Sequence, residues 1–305
     1  MMMKYIVLLA LLLTASFGIV HAQSQTSKLF IQDIRWSPDG KQMLFSAFIG
    51  KSDWSDFNPT KWGLYEIYLP TKNIYRISKS ASTGSYGPNR RFIAYSKYFG
   101  TVWKIVLDNV ATGDTTILTS GASNNRAPSF SPNGTQIIFM SDRDGSNELY
   151  MMNRDGSDQR RLTYSKEGKP FNPEWSPFGK NITFYLEKGD HKDQIYVMNL
   201  DKVLPENITN DDANNIYPGW TPDGSIVYSS TFEDDKPKAY TISPDGTQKK
   251  ELLGISSNFV RYSPDGTKIA FITKSDDGSN VTVMNPNGTQ AQQLIDLKVF
   301  MGIFK

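Results

Sequence analysis

Very little acid–base chemistry is available to this chain. Of its two histidines, His21 falls in an apolar N-terminal stretch, which leaves His191, and the 305 residues contain no cysteine. A Ser-His-Asp triad or a histidine-rich metal centre would have to run through His191 alone. That residue lies in the polar run Lys188-Gly189-Asp190-His191-Lys192-Asp193 and reads as a solvated loop histidine. Without cysteine there is no thiol nucleophile, thiolate zinc site or disulfide framework. Carboxylates remain, as in Glu233-Asp234-Asp235 or the pair Asp142 and Asp144. Paired carboxylates can perform glycoside hydrolysis, but neighbouring acids in a hairpin loop ordinarily solvate the turn. Asp142-Arg143-Asp144-Gly145-Ser146-Asn147-Glu148 also places oxygen ligands at alternate positions around a glycine, which makes Asp142 and Asp144 the calcium candidates. It lacks the long spacing to a bidentate acid, and no other cofactor is expected.

The elements that must position any site are set by a repeat. Trp36-Ser37-Pro38-Asp39-Gly40 recurs as Phe130-Ser131-Pro132-Asn133-Gly134, Trp175-Ser176-Pro177-Phe178-Gly179, Trp220-Thr221-Pro222-Asp223-Gly224 and Tyr262-Ser263-Pro264-Asp265-Gly266. A degraded copy, Tyr86-Gly87-Pro88-Asn89-Arg90, keeps the proline and loses the glycine. The six prolines lie 50, 44, 45, 45 and 42 residues apart, a propeller or solenoid period. Proline presets φ, Asp or Asn bonds its own backbone, and glycine accepts the left-handed conformation, so each phrase predicts a hairpin.

Apolar runs such as Ile137-Ile138-Phe139-Met140 follow each phrase and read as buried strands. A polar loop, a third strand and a short fourth strand complete the unit. The prediction is an all-β chain, a six-bladed β-propeller of four-stranded antiparallel blades. Its repeats span about 31–78, 84–119, 124–163, 169–209, 214–253 and 258–295 within a single domain, 23–305. The apolar segment 296–305 is expected as a closing strand or a packed tail.

Lys4, the apolar run from Tyr5 to Val20 and Val20-His21-Ala22 read as an export signal over residues 1–22. The run is short for a membrane span, which needs roughly 20 residues. The mature chain is therefore expected in the periplasm or outside the cell, without a transmembrane segment and as a monomer. Thirty-three basic against 31 acidic residues give a net charge of +2, with no polybasic stripe for nucleic acid.

If the proline turns mark one face of the ring, the loops entering each first strand and the loops after each second strand share the other. That face collects Asn125, Arg126, Arg143, Phe171, Asn172, His191, Asn215, Tyr217 and Phe259, with Asn124, Lys169 and Asn214 beside them. Amide, guanidinium and aromatic groups together suit a peptide or a sugar. Trp36, Phe130, Trp175, Trp220 and Tyr262 occupy one repeat position and are expected to pack blade against blade.

These phrases resemble the WD40-like repeats of TolB-type propellers, with their x-Pro-x-Trp-Ser-Pro-Asp-Gly opening, Ser-Asp-Arg-Asp-Gly loop and Leu-Thr ending. The match is best from Ala127-Pro128-Ser129-Phe130 to Leu162-Thr163 and from Asn172-Pro173-Glu174-Trp175 to Ile208-Thr209. The resemblance implies a non-enzymatic binding module of the cell envelope whose partner is a protein, a Pal-like lipoprotein among the candidates. A carbohydrate- or small-ligand-binding propeller, lyase- or hydrolase-like, is the alternative. Oligogalacturonate lyases share this architecture but hold a metal mainly through several histidines, which this chain does not supply.

Overall fold

The recurring turn closes on its own side chains. The Ser37 hydroxyl donates to Asp39 Oδ1 at 2.6 Å, the Lys41 N–H donates to the same oxygen at 3.1 Å, and the Gly40 N–H donates to Ser37 O at 2.9 Å. Gly40 sits at φ +68°, where a Cβ would be strained. In the degraded copy Asn89 and Arg90 enter the left-handed region themselves, at φ +58° and +54°. These turns are seen in a computed structural model that describes residues 28–51, 58–231, 236–252, 254–275 and 278–304. The expected export signal over 1–22 and the acids Glu233, Asp234 and Asp235 lie outside the described residues.

The turns carry a pH dependence. The Thr221 hydroxyl and the Ser225 N–H hold Asp223 below the usual carboxylate range, and Ser263 with Thr267 does the same for Asp265. A carboxylate depressed in the folded state adds stability that is present above its unfolded value of 3.8 and lost as pH falls through the lower folded value. The melting temperature is therefore expected to fall between about pH 4 and pH 2. The double variant Asp223→Asn/Asp265→Asn should show a shallower fall in a calorimetric pH series.

Six blades follow in chain order. Blade 1 holds β1 (Lys28–Trp36), β2 (Gln42–Gly50), β3 (Gly63–Tyr68) and β4 (Asn73–Lys79); blade 2 holds β5 (Ala81–Tyr86), β6 (Phe92–Tyr98), β7 (Trp103–Asn109) and β8 (Thr115–Ile117). Blade 3 holds β9 (Asn125–Phe130), β10 (Gln136–Ser141), β11 (Glu148–Asn153) and β12 (Arg160–Arg161); blade 4 holds β13 (Lys169–Trp175), β14 (Asn181–Glu187), β15 (Gln194–Asn199) and β16 (Leu204–Asn207). Blade 5 holds β17 (Asn214–Trp220), β18 (Ile226–Thr231), β19 (Lys238–Ile242) and β20 (Lys250–Leu252); blade 6 holds β21 (Val260–Tyr262), β22 (Ile269–Ser275), β23 (Gly278–Met284) and β24 (Gln292–Gln293). Neighbouring strands within a blade pair antiparallel. The apolar cores lie between blades: Ala94, Ile105 and Leu107 of blade 2 pack on Phe130, Ile137 and Phe139 of blade 3.

Blades 1 and 6 meet differently. Leu29 at the start of β1 bridges in parallel to Gly278 of β23, joining the two blades into one eight-stranded sheet. Gly278 lies at φ +121°, and a Cβ there would overlap the Leu29 backbone. Residues 297–304 are not a strand, the first alternative for the closing segment; they form the helix α1 (Leu297–Phe304). Phe300 is fully buried, with its ring 4.8 Å from Tyr65 and 5.9 Å from Phe45 of blade 1, and Ile303 joins the same cluster while Val299 faces solvent. Phe300 and Ile303, three residues apart, reach the same cluster from one face of a helix, which satisfies its own backbone.

Candidate functional site

The inner strand of each blade lines the axis, and in five blades it is broken by a bulge opposite the second strand, between Ile31 and Asp33, Ser82 and Gly84, Arg126 and Ser129, Phe171 and Glu174, and Ile216 and Gly219. Four bulge residues take positive φ: Thr83 (+44°), Ala127 (+50°), Asn172 (+51°) and Tyr217 (+54°). Proline follows three of them, at Pro128, Pro173 and Pro218, and has no N–H to give a ladder. The freed N–H groups turn to the preceding blade: Thr83 donates to Ser46 Oγ at 2.8 Å, Ala127 to Ser96 Oγ at 3.0 Å and Asn172 to Met140 Sδ at 3.3 Å. Left-handed residues of this kind are held against local strain by their surroundings and concentrate at binding sites.

Two cups open on the axis. The upper one, on the face away from the proline turns, has a volume near 370 Å³ and is walled by Trp62, Trp103, Phe171, Tyr185 and Tyr217, with Gln32, Thr83, Ser96, Arg126 and Asn172 supplying polar groups. Phe171 stacks on Tyr185 at 5.6 Å, Tyr185 meets Tyr217 edge-on at 5.7 Å, and Tyr217 rests on Phe259 at 4.4 Å. Burial pushes the Tyr185 and Tyr217 phenols up, so both remain hydrogen-bond donors at neutral pH. The exposed Arg126 guanidinium lies 5.3 Å from the centre of the Trp103 ring.

Beneath the upper cup a group of charges crosses the axis. Glu174 Oε1 of blade 4 accepts from Arg35 Nη1 of blade 1 at 2.6 Å and from Arg261 Nη2 of blade 6 at 2.9 Å. Arg261 Nη1 also donates to Tyr217 O at 3.2 Å, and Asp33 lies 3.4 Å from Arg35. Burial lowers the Arg261 guanidinium to about 10 and raises the Asp33 carboxyl. The lower cup, near 280 Å³, lies on the other side of these charges and is walled by Trp36, Trp175, Trp220 and Tyr262 with Pro177, Pro222 and Pro264 at its rim.

The structure brings together Arg126, Phe171, Asn172 and Tyr217 of the predicted surface, with Phe259 as their buried support. Four others lie elsewhere. Asn125 is fully buried and accepts from Arg143 at 2.8 Å; Arg143 also bonds Ser141 and Gln159, so the pair braces blade 3. Asn215 is buried and donates to Asp211 at 2.6 Å, while His191 stands exposed on its loop at φ +58°. The calcium candidates face donors: Asp142 accepts from the Asn124 backbone and side-chain amide at 2.8 Å each, and Asp144 accepts from Tyr150 and Arg161. A cation there would share these oxygens with donors already in place. Among the described residues no group of three or more His, Asp or Glu side chains is arranged to hold a metal.

Loop reading missed Trp62, Thr83, Trp103 and Tyr185. Part of the signal was present, because Thr83, Ala127, Asn172, Tyr217 and Phe259 each stand five residues before a turn proline. The repeated aromatics do pack between blades, with Trp36 Nε1 donating to Arg261 O and Trp220 Nε1 to Glu174 O, each at 3.1 Å. Trp36, Trp220 and Tyr262 are nonetheless only half-buried and also face the lower cup.

A family model described as the TolB beta propeller domain matches residues 70–184 and 164–299. The Tol-Pal system protein TolB of Francisella tularensis subsp. holarctica is 31% identical over 219 residues, covering 69% of this chain and 48% of that protein. The protein of the same name from Anaeromyxobacter sp. (strain K) is 30% identical over 130 residues, 43% of this chain and 29% of its own length. The chain thus spans about half the length, or less, of these relatives. Among solved structures, TolB from Acinetobacter baumannii superposes with a TM-score of 0.68 at 18% identity, covering 87% of this chain and 78% of that one. An oligogalacturonate lyase from Vibrio parahaemolyticus does so at 0.60 and 14% identity, over 88% and 84%. At these identities the superpositions speak for the fold. No helix among the described residues is long and apolar enough to cross a membrane.

Proposed function

Because the chain belongs to the TolB β-propeller family, we propose that it is an exported, non-catalytic docking module that receives a protein partner of the cell envelope in its upper cup. The carrying observation is the cup itself: rigid aromatic walls, two phenol donors and a rim guanidinium, held on strands by bulges and closed below by charges. Large, pre-positioned aromatic and Arg groups are what anchors of protein interfaces consist of. The partner class follows the relatives named as Tol-Pal system proteins, a Pal-like lipoprotein being the first candidate, and the compartment would be the periplasm.

Recovery of partners from an envelope extract tests the reading. Wild type should retain a partner that Arg126→Glu and Tyr217→Ala each weaken by roughly 30-fold or more, the size of a hot-spot loss. Identical recovery by all three proteins would dismiss the upper cup as the docking site. A sugar or other small ligand is the second reading, favoured by a volume of 370 Å³ within the range of small-molecule pockets. A thermal shift with an oligosaccharide panel, abolished by Tyr217→Ala, would replace the first reading with this one.

A further inference from the structure

The lower cup is separate from the proposed docking site and has a chemistry of its own. Its floor consists of Arg35, Glu174 and Arg261, two cations against one anion. Glu174 is shared between both guanidiniums through a single oxygen. Asp33, the other nearby carboxyl, lies behind Arg35 at 3.4 Å and does not line the cup, so the surface a ligand meets is two guanidiniums and one carboxylate. Arg261 is 5% exposed and its Nε finds no partner; the Trp175 Nε1, on a side chain 8% exposed, finds none either. Both side chains line this cup. Buried donors without acceptors are costly and are ordinarily satisfied by something.

At the rim the sign of the charge reverses. Asp223 accepts from the Thr221 hydroxyl and Asp265 from the Ser263 hydroxyl, two residues that line the cup, and Asp39 stands on the neighbouring turn. Each is bonded to the hydroxyl and N–H groups of its own turn, which holds it ionised. A bare cation would be drawn to the rim and repelled by the floor. A neutral sugar would offer no anion to the two guanidiniums that line the floor.

We propose that the lower cup is a second ligand site that takes an amino-acid-like zwitterion, with its carboxylate on Arg35 and Arg261, its apolar side chain against Trp36, Trp220 and Tyr262, and its ammonium group toward the rim aspartates. The chemistry is shared by a free amino acid and a short peptide, and the cup's 280 Å³ admits either.

Three of the six tryptophans line the cup, so intrinsic fluorescence reports its occupancy. Titration of the whole protein with phenylalanine, glycyl-phenylalanine, phenylalaninamide and 3-phenylpropionate separates the groups. Phenylalanine or the dipeptide should bind saturably, with the tighter of the two naming the source. Loss of the carboxylate in phenylalaninamide should weaken binding at least about tenfold, and loss of the ammonium group in 3-phenylpropionate by less. Arg35→Gln should weaken phenylalanine at least about tenfold, while Arg126→Gln in the upper cup should leave it unchanged. Tyr262→Leu leaves the charges in place and removes one wall, so a weaker titration with an unchanged melting temperature supports the site even if Arg35→Gln unfolds. Equal binding of phenylalanine and its amide, sensitivity to Arg126 instead of the lower-cup residues, or no saturable response would overturn the proposal. The docking reading stands or falls separately, on partner recovery.

Discussion

Replacing Glu174 by alanine is expected to destabilise the ring by about 3–5 kcal/mol, the cost of breaking a buried ion pair by removing one partner. Glu174 and Arg261 expose only 14% and 6% of their side chains, so the two guanidiniums cannot recover their hydration when the carboxylate goes. They also repel each other: Arg35 is among the causes that already lower Arg261. The three residues come from blades 1, 4 and 6, so the loss falls on contacts that cross the axis and loosens opposite sides of the ring together. For a chain of this size the melting temperature should drop by roughly 10 °C.

Arg35→Gln should cost less, since the Arg261 to Glu174 pair survives it. Replacing all three charges together with Asp33 by apolar residues of similar volume should cost least, because desolvation and attraction nearly cancel in such groups. Urea titrations of the three variants give the order, and a loss below about 1 kcal/mol for Glu174→Ala would mean that solvent already screens the cluster.

These charges mark where sequence reading reached its limit. The turn is legible because every one of its residues has a backbone reason, and the proline spacing then fixes blade number and strand order. Three residues before those prolines stand Arg35, Ser85, Ser129, Glu174, Gly219 and Arg261. A repeat reader passes over this position because it is not conserved between units. Its chemistry depends on opposite blades facing one another, with Gly219 leaving room for the Arg261 guanidinium.

The upper cup was half legible for a related reason. Loops read as the surface, whereas Thr83, Ala127, Asn172 and Tyr217 reach the cup from bulges within strands, which periodicity cannot show because a bulge resets the alternation of faces. Asn125 and Asn215 look like contact residues by type, yet each stands seven residues before a turn proline and is consumed by its own loop. Among amides, position relative to the bulge separates a strut from a contact: Asn172, two residues further on, faces the cup.

The seam between blades 1 and 6 carries the second large effect, because among the described residues each blade is completed by its own four strands and none is exchanged to bind the two ends of the ring. Closure rests on the parallel bridge from Leu29 to Gly278, on the apolar core in which Ile34 and Met43 meet Phe259, Ala270 and Ile272, on the Trp36 to Arg261 hydrogen bond and on α1. Phe300→Ala should therefore cost about 3–5 kcal/mol, as for other fully buried aromatic truncations. The cavity would open beside Phe45 and Tyr65, which stack on each other at 5.4 Å. Val299→Ala, on the exposed side of the same helix, changes composition equally little and should be close to neutral. Removal of 296–305 should match or exceed the Phe300 effect, since it also removes Ile303 and uncovers the blade 1 core.

The distribution of the damage distinguishes a clasp from ordinary packing. If α1 holds the seam, hydrogen exchange in the Phe300→Ala protein should accelerate first in β1, β4 and β23, with blades 3 and 4 retaining wild-type protection. Uniform acceleration around the ring would mean that the propeller opens as one unit and that the helix has no particular hold on its closure.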